Sequence, residues 1–589
     1  MLSFITYFSL VGGVGYYLWP QTVAAFLAVT LLALGLSLRW PFKRANHSFS
    51  LLISLVGAGI LGLWGLNLAE QATVMAVRGP WAVVPMMTTA LLPAGLVVAG
   101  VWGRRAELVI LALGASTFVT ALLFPLGFGF DPFVHEATLN HLLTYGDISP
   151  KQPYYAAFYG LAQGVVHIFK ILPQQVLQFG LPVLFTGAAW WSARRVKSVT
   201  PLALALSLLF LPLAIVTQGT PYALGTVFLL LTVVAAWQDF PPRAVWSLAL
   251  AALLTHPIPG VLALAVAVSR YRGTLGKILG LGLASFGGPL MFLGLALLTG
   301  TSTLTLQLPD LRSIFPVFTN GAYRAWPDLF YFIGANRWWW GLLVGLGGLV
   351  VAQERRPAAM WAGLWLASNT SAVLIGSGFA FNTLPVHEQL DYALRLKDLS
   401  LLLAIPLMAQ AGQSLLDRMP HSSERLVLAS LSGLLAISFI IGAYPRHDAY
   451  ARFGGITTSQ ADLEAIQIIE QDAQGSRYAV LANQAMSAMA LREFGFVNRY
   501  VGSANDVYFY PIPTGAPLGL LTTDILQIAP TKERLEQAFE ITKTPLVYLV
   551  IHDYWAQSEM LKARVELLGG EKLAAPDGLT VFRFVQSLN

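Results

Sequence analysis

The sequence predicts a polytopic α-helical membrane protein of about 13–15 transmembrane helices followed by a C-terminal α/β domain. Three observations predict it. Of 589 residues, 56% are hydrophobic and only 11% are charged, against about 25% charged in an average soluble domain. The apolar residues fall into runs near the ~20-residue length that crosses a hydrocarbon core. Those runs end near residue 445, and from about 457 helix-period and strand-period segments alternate instead.

The candidate spans, in order, are 2–18, 21–39, 50–69, 80–102, 107–129, 177–192, 200–217, 221–238, 244–256, 257–269, 278–299, 338–353, 359–377, 399–415 and 426–444. The pair 244–256 and 257–269 flanks Thr255-His256-Pro257-Ile258-Pro259-Gly260 and reads either as two short helices or as one kinked unit. The first span lacks a basic leader and a small-residue cleavage site, so it reads as a retained helix rather than a signal peptide.

Orientation follows from Lys and Arg. Clusters occur at Arg39/Lys43/Arg44, Arg104/Arg105, Arg194/Arg195/Lys197, Arg270/Arg272/Lys277, Arg355/Arg356 and Arg418/Arg425. Threading the spans puts every cluster on one face, which is assigned to the cytoplasm. The loop 130–176, the turn Gln218–Tyr222, the loops 300–337 and 378–398, and the chain beyond Tyr444 then lie outside the cell membrane. Within the first loop, residues 155–172 are apolar but carry Gln163, His167 and Lys170. They read as an amphipathic helix lying at the interface. Beyond 457, helix-like runs (Ser459–Gln471, Thr531–Ile541, Ala556–Leu567) alternate with strand-like ones (Arg477–Leu481, Pro545–Ile551, Leu579–Val585).

Composition excludes several functions. The chain has no cysteine, so disulfides, thiolate metal sites and cysteine nucleophiles are absent. The net charge of +6 is what cytoplasmic Lys and Arg supply, and no basic run tracks phosphates, so nucleic acid is not an expected partner.

The densest polar cluster follows the span 107–129: Gly129-Phe130-Asp131-Pro132-Phe133-Val134-His135-Glu136, running on to Gly146-Asp147-Ile148-Ser149-Pro150-Lys151-Gln152-Pro153-Tyr154-Tyr155. An Asp-Pro-aromatic-x-His block directly after a transmembrane helix resembles the first external loop of the GT-C superfamily of integral membrane glycosyltransferases. Oligosaccharyltransferase catalytic subunits carry a similar block, followed by a Gly and a Pro-rich stretch; here Asp131, Pro132, His135, Gly146, Pro150 and Pro153 stand in those places. The interfacial helix, the many spans and the terminal soluble domain agree with that resemblance. It divides the chain into additional transmembrane helices (1–106), a GT-C-like core with its catalytic loop at 130–176 (107–445), and an extracytoplasmic α/β domain (446–589). The turn Gln218–Tyr222 lacks the second acid of the oligosaccharyltransferases, and Asp553-Tyr554-Trp555 only weakly echoes their acceptor motif. The nearer class is therefore the protein O-mannosyltransferase-like and aminoarabinose-transferase-like enzymes.

The resemblance implies transfer of a sugar from a polyprenyl-phosphate-linked donor to a carbohydrate, lipid or protein acceptor at the outer face of the cell membrane, in the cell envelope, with inversion. One carboxylate then serves as base, because the phosphate already leaves well; this differs from the paired acid and base of hydrolysis. Asp131 is the expected base. Glu136 is the second carboxylate, and His135 is placed to orient the acid or contact phosphate. Asp131 and Glu136 are also the candidate ligands for a divalent metal, although one carboxylate cluster does not define a coordination shell. The departing phosphate needs cations outside: Arg395, Lys397, His387 and Arg337 are available, with His256 at the Thr-His-Pro break. The amides of Asn483 and Gln484, where a strand gives way to a helix, could meet an acceptor, although an Asn helix cap explains Asn483 as well. Two other classes fit the composition: a transporter or flippase of a lipid-linked sugar, and a non-catalytic membrane scaffold. The first is disfavoured by the lack of a detectable internal repeat.

Overall fold

The computed structural model describes residues 51–586 except 149–154, 271–272, 300–301, 305–310, 318–325, 353–354, 382–383, 385–387, 420, 448–454, 456, 497–498, 502–505 and 513–515. The expected spans 2–18 and 21–39, and His387, lie outside the described residues. The chain is mainly helical. It begins with α1 (Leu51–Glu70), α2 (Met86–Trp102), α3 (Ala106–Leu123), α4 (Asp131–Tyr145), α5 (Ala156–Phe169), α6 (Pro173–Arg195), α7 (Pro201–Leu208) and α8 (Pro221–Trp237). There follow α9 (Pro242–Thr255), α10 (Pro257–Ser269), α11 (Thr274–Thr299), α12 (Leu311–Ile314), α13 (Trp326–Ala335), α14 (Arg337–Val351), α15 (Arg355–Gly378), α16 (Asp391–Arg418) and α17 (Ser422–Ile441). Each helix from α6 to α10 starts at a proline, whose missing N–H costs nothing in a first turn.

Among the described residues, six helices are long and apolar enough to cross a membrane: Ala106–Leu123, Pro173–Arg195, Thr274–Leu297, Arg356–Gly378, Asp391–Arg418 and Ser423–Ile441. Other apolar helices run 10–17 residues. The outer face of α11 shows why lipid is the fitting solvent. Leu275, Ile278, Leu279, Phe286, Leu290 and Leu297 are all exposed along it, a stripe that water would penalise.

Three expectations are corrected. The run 200–217 is not one span: α7 ends at Leu208, and a 3₁₀ turn, Leu213–Thr217, follows beyond Pro212. The run 107–129 stops being helical at Leu123, and Gly127 and Gly129 take left-handed φ values of 121° and 77°. The helix expected at 399–415 begins at Asp391, so Arg395 and Lys397 lie inside its first turns rather than before it.

The segments α9 and α10 are two helices. His256 takes an extended conformation between them, and Arg270 at the end of α10 pairs with Asp239 just before α9. A Cβ on Gly260 would stand 2.3 Å from the Leu253 Cα, so only glycine permits this close hairpin. The arrangement puts both feet together and His256 at the tip. Helix α16 is the hub of the bundle, packing on α7, α8, α14 and α15, while α2 lies along α17. The expected border at residue 106 is therefore not a break in packing.

Beyond α17 come α18 (Gln460–Ala473), α19 (Gln484–Phe494), α20 (Pro517–Gln527), α21 (Lys532–Thr542) and α22 (Ser558–Leu567). They surround a four-stranded sheet made of β3 (Tyr478–Leu481), β6 (Leu546–His552), β7 (Glu571–Lys572) and β8 (Leu579–Val585), in the order β3-β6-β8-β7. Two short antiparallel pairs lie elsewhere. The strands β1 (Ser302–Leu304) and β2 (Phe379–Phe381) join the loops before α12 and α16, and β4 (Arg499–Val501) pairs with β5 (Asp506–Tyr508). β3 runs parallel to β6, with Leu481 opposite Leu549, and β8 runs antiparallel to it, with His552 opposite Leu579.

Strand β6 explains why this region has two cores. Its side chains alternate across the sheet, sending Tyr548 and Val550 to one core and Val547, Leu549 and Ile551 to the other. The first core also takes in Phe133, Val134 and Ala137 of α4. Arg492 of α19 lies 5.1 Å from the centre of the Phe133 ring and donates to the Leu126 carbonyl at 3.3 Å. Helix α4 is thereby wedged between the bundle and the C-terminal sheet.

Candidate functional site

Helix α4 starts at Asp131, with Pro132 in its first turn, and ends at Gly146, whose φ of 83° forms a left-handed cap. At 100° per residue, Asp131 and His135 share one face, whereas Glu136 is turned well away from Asp131. The structure follows that arithmetic.

His135 is buried, and its Nδ1 shares a 2.7 Å hydrogen bond with the hydroxyl of Tyr159 on α5. Its ring also meets Tyr155 edge-on at 6.0 Å. Tyr155 in turn stacks on His256 at 5.4 Å, and His256 meets Tyr222 edge-on at 5.3 Å. The His256 Nδ1 accepts the Ile258 N–H at 3.2 Å, which fixes the ring at the hairpin tip and leaves the ring proton on Nε2. The chain of rings ends at Arg395. Its guanidinium carbon lies 5.4 Å from the Tyr222 ring centre and 5.9 Å from that of Tyr392. The Tyr222 hydroxyl donates to the Arg395 carbonyl at 3.2 Å, which ties α8 to the first turns of α16.

Asp131 is exposed on α4, and its charge acts on both Arg395 and Tyr392. The carboxylate within ion-pair distance of Arg395 is Asp391, at 4.0 Å, while the Arg395 side chain keeps 39% of its surface open. Asp131 is thus near enough for its charge to act on Arg395, while the ion pair of Arg395 is with Asp391.

The other expected residues fall elsewhere. Lys397 is two residues from Arg395 and so points to the opposite side of α16; it is 9% exposed and pairs with Asp398 at 3.5 Å. Arg337 donates to the Gly442 carbonyl at 3.0 Å at the end of α17, with Asp398 as its charged neighbour. These two cations gather round Asp398, not Asp131. Asp147 hydrogen-bonds His141 at 2.8 Å. Among the described residues, no three His, Asp or Glu side chains come together as a metal site, and helical spacing turns Glu136 well away from Asp131.

Glu136 lines a separate small cavity of about 30 Å³ with Gln178, Thr217 and Gln218, room for about one water. Burial, opposed by Arg492 and helped by Glu493, pushes its pKa up to about 7. Between pH 4.5 and 7 the folded protein holds this proton and the unfolded chain does not. Stability therefore falls as pH rises through that window, by about 2–3 kcal/mol, and is flat above it. Glu136→Gln should remove this slope and melt higher than the wild type at pH 8, as read by Tm against pH. An unchanged slope would remove Glu136 as its source.

The turn Gln218–Tyr222 packs directly on the Asp131 segment. The Gln218 amide nitrogen stands 2.9 Å from where a Gly129 Cβ would be, and the backbone of Gly219 abuts the Leu177 carbonyl. This turn brings Gln218 and Tyr222, not an acid, to the cluster. Sequence reading missed Tyr159, Tyr222 and Tyr392 as site residues. Their only signal was adjacency to polar turns, and their rings come from three helices that the fold alone brings together.

No known protein family matches the chain, and no curated protein matches it.

Proposed function

We propose that the chain is a membrane glycosyltransferase of the GT-C type. It moves a sugar from a polyprenyl-phosphate-linked donor to an acceptor hydroxyl at the extracytoplasmic face, with inversion. The observation that supports this reading is the nearness in charge of Asp131 and Arg395, which are distant in sequence, beside a chain of rings made of Tyr155, His256, Tyr222 and Tyr392 that ends at Arg395.

In this reading Asp131 takes the proton of the acceptor hydroxyl. The acceptor oxygen forms its bond to the anomeric carbon as the bond from that carbon to the phosphate oxygen breaks. The electron pair leaves with the phosphate, and Arg395 meets its growing charge with a planar fork of donors. His135, held by Tyr159, orients the helix that carries Asp131. The C-terminal α/β region is an extracytoplasmic domain that clasps α4, consistent with Lys and Arg gathering on the opposite face of the membrane.

Incubating the purified, lipid-reconstituted protein with radiolabelled polyprenyl-phosphate sugars and candidate acceptors tests the reading. The expected result is a covalent product of inverted configuration together with free polyprenyl phosphate. Movement of intact donor across the bilayer without product would instead identify a flippase and overturn the proposal.

A further inference from the structure

A second cavity, of about 370 Å³, opens beside the C-terminal sheet. This lies within the range of small-molecule sites, about 300–1,000 Å³. It sits beyond the carboxyl ends of the parallel pair β3 and β6, where open α/β sheets hold their ligands. Ala482, Asn483 and Gln484 line it directly after β3, and Trp555 lines it just after β6. Thr522, Thr523 and Gln527 of α20 form the facing wall.

The chemistry of this lining is specific. The Thr522 and Thr523 hydroxyls donate to the Leu518 and Gly519 carbonyls at 2.7 and 3.0 Å, so toward the cavity they act as acceptors. Asn483 caps α19 by accepting the Met486 N–H at 2.9 Å, and its amide nitrogen donates to the Tyr554 hydroxyl at 2.6 Å. Asn483 is thus a helix cap that also lines the cavity. Among the described residues, no Lys, Arg or His lines it, which favours a ligand other than phosphate or nucleotide. A partly exposed indole beside planar amides and hydroxyls suits the alternating apolar faces and hydroxyl rims of a sugar ring.

One lining residue comes from the bundle. Glu388 precedes α16, in a segment anchored by Gln389, whose amide bonds to Phe381 and Leu384. The charge of Glu388 also acts on Tyr392, which belongs to the Asp131–Arg395 cluster. Glu388 thus belongs to the cavity lining and lies near enough to the cluster for its charge to act there.

We propose that this cavity binds a neutral carbohydrate, with Trp555 as the platform for one ring face and Gln484, Thr522, Thr523 and Gln527 engaging the hydroxyls. Its role as the acceptor site rests on the transfer reading above; the binding itself does not. The full chain in lipid nanodiscs, titrated calorimetrically with cellobiose, maltose and mannobiose without donor, tests it. At least one disaccharide should bind near about 1 mM, and Trp555→Ala should weaken it by about ten-fold or more. Gln527 is exposed on α20, so Gln527→Leu spares the fold and should still weaken binding several-fold. Inorganic phosphate should not compete. Failure of all three sugars to bind, wild-type affinity in both variants, or competition by phosphate would each overturn the proposal. Asp131→Asn should keep full disaccharide affinity. Absence of transfer by the wild-type chain with intact sugar binding would thus sink the transfer reading alone, and transfer without sugar binding in this cavity would sink this one alone.

Discussion

On the proposed transfer reading, Asp131→Asn should lower sugar transfer by about 10²–10⁴-fold, the contribution of a positioned general base. Asparagine keeps the size of the side chain and its place in the first turn of α4, so the helix and its packing against Phe133, Val134 and Ala137 stay as they are. What is lost is the basic oxygen and the negative charge opposite Arg395. The donor carries its own negative phosphate, so binding of donor is retained. Steady-state transfer assays beside donor-binding isotherms separate the two effects. Turnover close to wild type would remove Asp131 from the reaction, and loss of donor binding would make it a positioning residue instead.

Arg395→Ala weakens the donor by about 10–100-fold, because hydrogen bonds to a charged group contribute about 1.5–3 kcal/mol each. Arg395→Lys recovers part of the loss: it restores the charge but not the two-pronged contact. The guanidinium rests near the Tyr222 and Tyr392 rings, a geometry that lysine also reproduces less well. Inhibition by free polyprenyl phosphate is the cleanest readout, since it reports the leaving group without the sugar. Equal inhibition of wild type and Arg395→Ala would exclude Arg395 as the phosphate ligand. Lys397→Ala serves as the contrast, for Lys397 is turned toward Asp398 and should leave the inhibitor constant unchanged.

Much of the architecture was legible because it is written in one-dimensional signals. Apolar runs, prolines at helix starts and the change of period beyond 457 each act locally. The failures were local competitions. Pro212 broke the run 200–217, and the helix of Arg395 started at Asp391, two turns before its apolar stretch. Polar first turns carry no hydropathy signal, so a boundary read from apolar residues falls late.

The candidate site divided in the same way. Asp131 and His135 were recognisable from one short block, whereas Glu136, read there as the second carboxylate, is turned aside by the register of α4. Among five residues expected to meet phosphate, the sequence offered no means of choosing. Arg395 and His256 join the cluster because Tyr222 touches both, while Lys397 and Arg337 turn to Asp398.

By itself, then, the sequence determined that this is an apolar helical chain with a polar block after one of its helices and an α/β region at its end. Composition and periodicity suffice for that, since each residue's preference for lipid, helix or strand is its own. Only the tertiary structure decided which charges face one another. It also wedged α4 between bundle and sheet, and it set a cavity beside the parallel strands. Those facts depend on pairs of residues hundreds of positions apart, and Coulomb attraction and ring packing act over a few ångströms in space whatever the distance along the chain.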